Sequence, residues 1–61
     1  MLVPLRTLKP GDKFLNLHDE IVYKVVSEPV DGEILCADDD GFGELFSEIH
    51  IVRPVSDIFK I

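Results

Sequence analysis

Leu8-Lys9-Pro10-Gly11-Asp12-Lys13-Phe14 decides how the rest of this sequence is read. Pro10 restricts φ to about −65° and Gly11 tolerates φ > 0, the two conformations a tight turn needs at its central positions. Such a turn delivers the chain into a strand, and strand character follows at once over 13–17. Asn16-Leu17-His18-Asp19-Glu20 then reads as a connecting turn into Ile21-Val22-Tyr23-Lys24-Val25-Val26, rich in β-branched and aromatic residues. A period of two puts Ile21, Tyr23 and Val25 on one face and Val22, Lys24 and Val26 on the other, with Tyr23 and Val25 expected to point inward.

The pattern repeats at short intervals. Glu28-Pro29-Val30-Asp31-Gly32 interrupts it, and Asp31-Gly32 is a dipeptide that turns hairpins. The expected strands are 13–17, 21–27, 33–37, 44–46 and 50–54, with Asp38-Asp39-Asp40-Gly41-Phe42-Gly43 as a second hairpin connection. Ser47-Glu48 is expected to form a single 3₁₀ turn, and Pro54 to end the last strand or confine it to an edge. No stretch sustains a 3.6-residue period, so no long helix is predicted. The predicted core is Leu8, Phe14, Tyr23, Val25, Ile34, Cys36, Phe46 and Val52.

A chain of 61 residues is read as a single domain over 1–61. A domain of this size buries only about 60% of the surface its unfolded chain exposes, so its stability is marginal or assisted. Cys36 is the only cysteine, which rules out an internal disulfide, and two histidines with one cysteine make a poor metal set. The apolar fraction of 46% alongside 30% charged residues points to apolar surface covered by a second copy or a partner. The Val55–Ile61 tail is apolar for a terminus, and Ile58, Phe59 and Ile61 are expected to pack on the domain or on another copy. Met1-Leu2-Val3-Pro4-Leu5 is too short for a secretory core and no apolar run spans a bilayer, so a cytoplasmic location and no membrane partner are expected.

Charge narrows the function classes. Residues 1–13 carry a net +2, residues 14–52 a net −9 and residues 53–61 a net +1, within a total of −6. A field of that sign repels phosphate backbones, which argues against direct nucleic-acid binding and favours a protein partner with a basic surface.

Short strands at this spacing, with a long first connection and a short turn before the last strand, suit an all-β, SH3-like half-open barrel of about five strands. The placing of Leu8, Gly11-Asp12, Phe14, Tyr23, Val25, Cys36, Gly41, Phe46, Val52 and Pro54-Val55 resembles small bacteriophage and bacterial proteins. That resemblance implies an SH3-like or related barrel and, for some members, action on host proteins. It transfers no catalytic residue.

Asp38-Asp39-Asp40-Gly41 invites a calcium reading. Aligning Gly41 with the sixth position of an EF-hand loop puts Cys36 first and Ser47 twelfth, where carboxylates are required, so the motif fails and no metal or cofactor is assigned. The same acids read as a docking surface, with Asp38, Asp39, Asp40, Phe42 and Glu44 as the candidate partner-binding residues. Phe42, between two glycines, is either a mobile apolar anchor at the tip or a plug folded over the barrel end. Cys36 shares a strand face with Ile34 and reads as a small buried hydrophobe. His18 and His50 have no nucleophile at a recognisable spacing, so solvated or capping roles are expected. One Tyr and no Trp do not make a groove for Pro-rich peptides, and a methyl-lysine cage would need rings that the core requires.

The expected function is a non-enzymatic protein-binding module that engages or inhibits a host protein through an acidic face. The alternative is a homo-oligomeric structural or accessory subunit whose acids serve solubility.

Overall fold

The computed structural model describes residues 1–58 and contains one six-stranded antiparallel sheet. Its strands are β1 (Val3–Pro4), β2 (Lys13–Asn16), β3 (Ile21–Val25), β4 (Glu33–Asp38), β5 (Gly43–Ser47) and β6 (Ile51–Pro54), in the order β1-β6-β2-β3-β4-β5. A 3₁₀ helix follows β1 over Leu5–Thr7, and a single turn of helix, α1 (Val55–Ile58), follows β6. No helix among the described residues is long and apolar enough to cross a membrane.

Local turn chemistry sets where strands begin. The Asp12 N–H donates to the Lys9 carbonyl at 2.9 Å while Gly11 adopts φ 98°, which makes Lys9–Asp12 a Pro-Gly turn with the glycine at its left-handed position. The turn is tied down twice, by Gly11 N–H on the Val25 carbonyl and Val25 N–H on the Asp12 carbonyl, each 2.8 Å. At the β3–β4 connection Asp31 and Gly32 both have positive φ, 52° and 82°, and Val30 and Glu33 exchange two hydrogen bonds across them. That is the two-residue turn whose twist matches the flanking strands.

Two strand ends and one turn differ from expectation for a hydrogen-bonding reason, while limits of β4, β5 and β6 fall one residue away from the expected ones. β2 stops at Asn16 because its carbonyl accepts the Glu20 N–H at 2.8 Å, closing the turn. β3 stops at Val25 because Val26 and Ser27 both donate to the Leu35 carbonyl, two residues facing one as in a bulge. The expected 3₁₀ turn at Ser47-Glu48 is instead a β-turn over 47–50, closed by His50 N–H on the Ser47 carbonyl at 3.0 Å.

The expectation of five strands also omitted β1, which pairs with β6 through Val3↔Val52 and Pro4↔Ile51. Proline is admissible there because β1 lies at the edge of the sheet. Its placement carries Leu5 into the interior, fully buried, where sequence reasoning had put Leu8; Leu8 is only half-buried against the outside of the core. The other seven predicted core residues, Phe14, Tyr23, Val25, Ile34, Cys36, Phe46 and Val52, are all buried.

The sheet curls without closing. Phe14 on β2 and Phe46 on β5 are three strands apart, roughly 14 Å in a flat sheet at the usual strand spacing. Their ring centroids lie 5.8 Å apart, and each also meets Tyr23, at 5.8 and 5.0 Å. No strand ladder joins β1 to β5; instead the β5–β6 turn is stitched across the gap by Arg6 N–H on the Glu48 carbonyl and Glu48 N–H on the Gly32 carbonyl. The packing expected for Ile58, Phe59 and Ile61 concerns side chains outside the described residues.

Candidate functional site

The β4–β5 hairpin is built around the side chain of Asp38. Its Oδ1 accepts the Asp40 N–H at 2.9 Å and the Phe42 N–H at 3.0 Å, and its carbonyl accepts the Gly41 N–H at 3.0 Å. Asp38 N–H in turn donates to the Phe42 carbonyl at 3.1 Å. An aspartate that satisfies backbone donors two and four residues ahead shapes the loop, and Gly41, at φ 86°, supplies the left-handed residue that lets the chain return.

This assigns different roles to the five candidate residues. Asp38 is half-buried and organises the tip, while Asp39 and Asp40 are exposed beside it. Phe42 is 73% exposed, so it does not fold back as a plug, and its backbone is hydrogen-bonded through both N–H and carbonyl. Glu44 stands apart from the tip, on β5 opposite Cys36, on the sheet face from which Phe46 enters the core. Its charge adds to the burial that pushes the Cys36 thiol up to about 11. Cys36 is fully buried and points its sulfur at the Ile34 carbonyl, 3.8 Å away, the setting of an inert core cysteine. Among the described residues no group of three or more His, Cys, Asp or Glu side chains is placed to hold a metal ion.

A second cluster lies where the β2–β3 turn meets the β5–β6 turn. His18 and His50 stack at 5.5 Å and 21°, and His50 stacks on Phe46 at 5.4 Å, which extends the core aromatics to the surface. His50 Nε2 lies 2.9 Å from Oδ1 of Asn16, a buried side chain. The Asn16 side-chain oxygen only accepts, so its contact with Nε2 needs the imidazole hydrogen on that nitrogen. His18 is exposed, in keeping with the solvated role expected for it, whereas His50 is half-buried and held by the buried Asn16 amide, which corrects the solvated or capping role expected there. Nothing in the sequence flagged it, because His50 and Asn16 are 34 residues apart.

Asp19 completes this cluster. Tyr23 donates its hydroxyl to Asp19 Oδ2 at 2.7 Å, and the Ile21 N–H donates to Oδ1 at 3.0 Å. The Tyr23 bond is the main reason the Asp19 carboxyl is held below its ordinary value, and the same bond, aided by burial and the charge of Asp19, pushes the Tyr23 phenol up to about 12. A phenol whose folded value exceeds its unfolded one near 10 supports the fold fully below pH 10 and loses that support as pH rises through 12. For Asp19 the sign reverses, its support being present above the unfolded carboxyl value and lost as pH falls through the lowered one. Tyr23 is the only tyrosine, so absorbance at the phenolate band should titrate with one midpoint about two units above a free phenol, and Asp19→Asn should lower it. A parent midpoint near 10 would show that the Tyr23–Asp19 bond does not hold in solution.

No family model, curated protein or solved structure matches this chain.

Proposed function

We propose that this protein is a non-enzymatic protein-binding module of bacteriophage or bacterial origin, built on an SH3-like half-open barrel, whose acidic β4–β5 hairpin engages a basic surface on a cytoplasmic partner. The barrel reading is supported by the order β6-β2-β3-β4-β5, a meander whose last strand returns beside the first after a tight turn. The binding reading is carried by one observation. Phe42 stands 73% exposed on a tip that Asp38 holds in one conformation, with the carboxylates of Asp39 and Asp40 beside it. An exposed phenylalanine regains about 1.5–3 kcal/mol when a partner buries it. A tip already ordered loses little further entropy on binding. The acids attract a basic site at long range, as an inhibitor occupying a nucleic-acid-binding site by charge mimicry requires.

The test compares the parent with the Asp39→Asn/Asp40→Asn/Phe42→Ala variant as immobilised baits, followed by kinetics on the purified captured protein. The Asp→Asn changes alone should slow association by about tenfold or more at low ionic strength, a gap that narrows as salt screens the field. Equal association rates at low salt would assign the acids to solubility.

A homo-oligomeric structural or accessory subunit is the second reading. It is favoured by apolar side chains on the outside of the sheet, with Leu45 59% and Leu35 37% exposed.

A further inference from the structure

The outer face of the sheet carries Lys13, Lys24 and Arg53 against one strand acid, Glu33, which pairs with Ser47 beyond the Leu35–Leu45 row, although the chain as a whole is acidic. Lys13 lies directly opposite Lys24, Leu15 lies opposite both Val22 and Arg53, and Lys24 pairs onward with Ala37. Side chains alternate across a sheet, so with Phe14, Tyr23 and Cys36 inside, Lys13, Lys24 and Arg53 share the outer face. All three are exposed, and no ion pair engages them among the described residues. Like charges directly opposed across a ladder repel. A chain with twelve acids nevertheless places none on the neighbouring positions Leu15, Val22 and Ala37.

The acidic tip adjoins this patch. The row Lys24–Ala37–Gly43 ends at the two residues that flank Asp38–Phe42, and the next row is the apolar pair Leu35–Leu45, which reaches the edge strand β5. Patches of opposite sign side by side, with apolar surface next to them, suit a two-fold interface, in which residue i meets j and j meets i. We propose that two copies pair about a two-fold axis through the outer faces of their sheets, Asp39 and Asp40 of each copy lying on Lys13 and Lys24 of the other, with Leu35 and Leu45 between them. This rests on the hairpin reading and names its partner as a second copy. A nucleic acid fits the face less well, because the net charge of −6 repels it.

Salt alone does not test this pairing, since screening weakens both the local attraction and the repulsion between two acidic copies. Reciprocal charge exchange does. By sedimentation equilibrium at about 150 mM salt, Lys13→Glu/Lys24→Glu and Asp39→Lys/Asp40→Lys should each raise the dimer dissociation constant about tenfold or more. Their equimolar mixture should form a heterodimer within about threefold of the parent, because each acid again meets a lysine. The second variant is the sharper probe. Its two substitutions reduce the net charge from −6 to −2, so general repulsion predicts a tighter dimer and the proposed contact a weaker one. Circular dichroism of each variant establishes that it is folded.

A parent that stays monomeric at about 1 mM, a dimer indifferent to both exchanges, or a mixture without rescue would overturn the inference. So would a monomeric parent whose Lys13 and Lys24 instead bind a single-stranded oligonucleotide. In any of these cases the hairpin reading stands or falls separately, on whether the tip variant loses a different captured protein.

Discussion

Replacing Phe14 by alanine should cost about 3–5 kcal/mol, which leaves this protein largely unfolded at 25 °C. Its total stability, at roughly 0.05–0.15 kcal/mol per residue, is of the same size as that loss. Phe14 is fully buried, and its ring packs against both Tyr23 on the adjacent strand and Phe46 on β5, the three rings forming a triangle. It therefore brings together β2 and β5, which no backbone ladder pairs directly. A smaller side chain leaves a cavity that no single neighbour can fill without uncurling the sheet. Thermal and urea unfolding check this, with Leu8→Ala as the contrast. Leu8 is only half-buried, and its truncation should cost roughly 1–2 kcal/mol. If both variants melt alike, the ring of Phe14 does not occupy the centre of the core.

The second large effect is expected at Asp38, where two substitutions separate charge from shape. Asp38→Ala removes the acceptor of the Asp40 and Phe42 N–H groups. Hydrogen bonds to a charged group contribute about 1.5–3 kcal/mol each, with the lower end applying at an exposed tip. The loop should then open locally while the buried strands persist, and amide exchange at Asp40 and Phe42 should accelerate about tenfold or more. Asp38→Asn keeps an acceptor oxygen in the same place and should leave exchange near the parent rate. Partner binding through the tip should fall further in the alanine variant, although both retain Asp39, Asp40 and Phe42. Exchange rates unaffected by Asp38→Ala would mean that the backbone alone holds the tip.

The two substitutions at Asp38 also show how far the sequence could be read. The run of three aspartates before Gly41 marks a turn and a concentration of charge, and both readings hold. That the first aspartate is consumed inside the loop depends on Phe42 N–H arriving at its carboxylate, a distance that only the folded hairpin defines. Glu44 is only two residues from Phe42 in sequence. Strand pairing instead sets it opposite Cys36, on the other side of the sheet from Leu45.

By itself the sequence determined the features that depend on one or two residues at a time. Pro10-Gly11 and Asp31-Gly32 set the turns because the φ preferences of those residues act locally, and the alternation from Ile21 to Val25 assigned inward and outward faces because the period of a strand is two. Tertiary structure alone decided the pairing of β1 with β6, the burial of Leu5, the stacked pair of His18 and His50 on Asn16, and the meeting of Lys13, Lys24 and Arg53 on one face. Each of these joins residues far apart in the chain, and their meeting follows from strand order and register, which are chosen by the burial free energy of the whole core and not by the preference of any one residue.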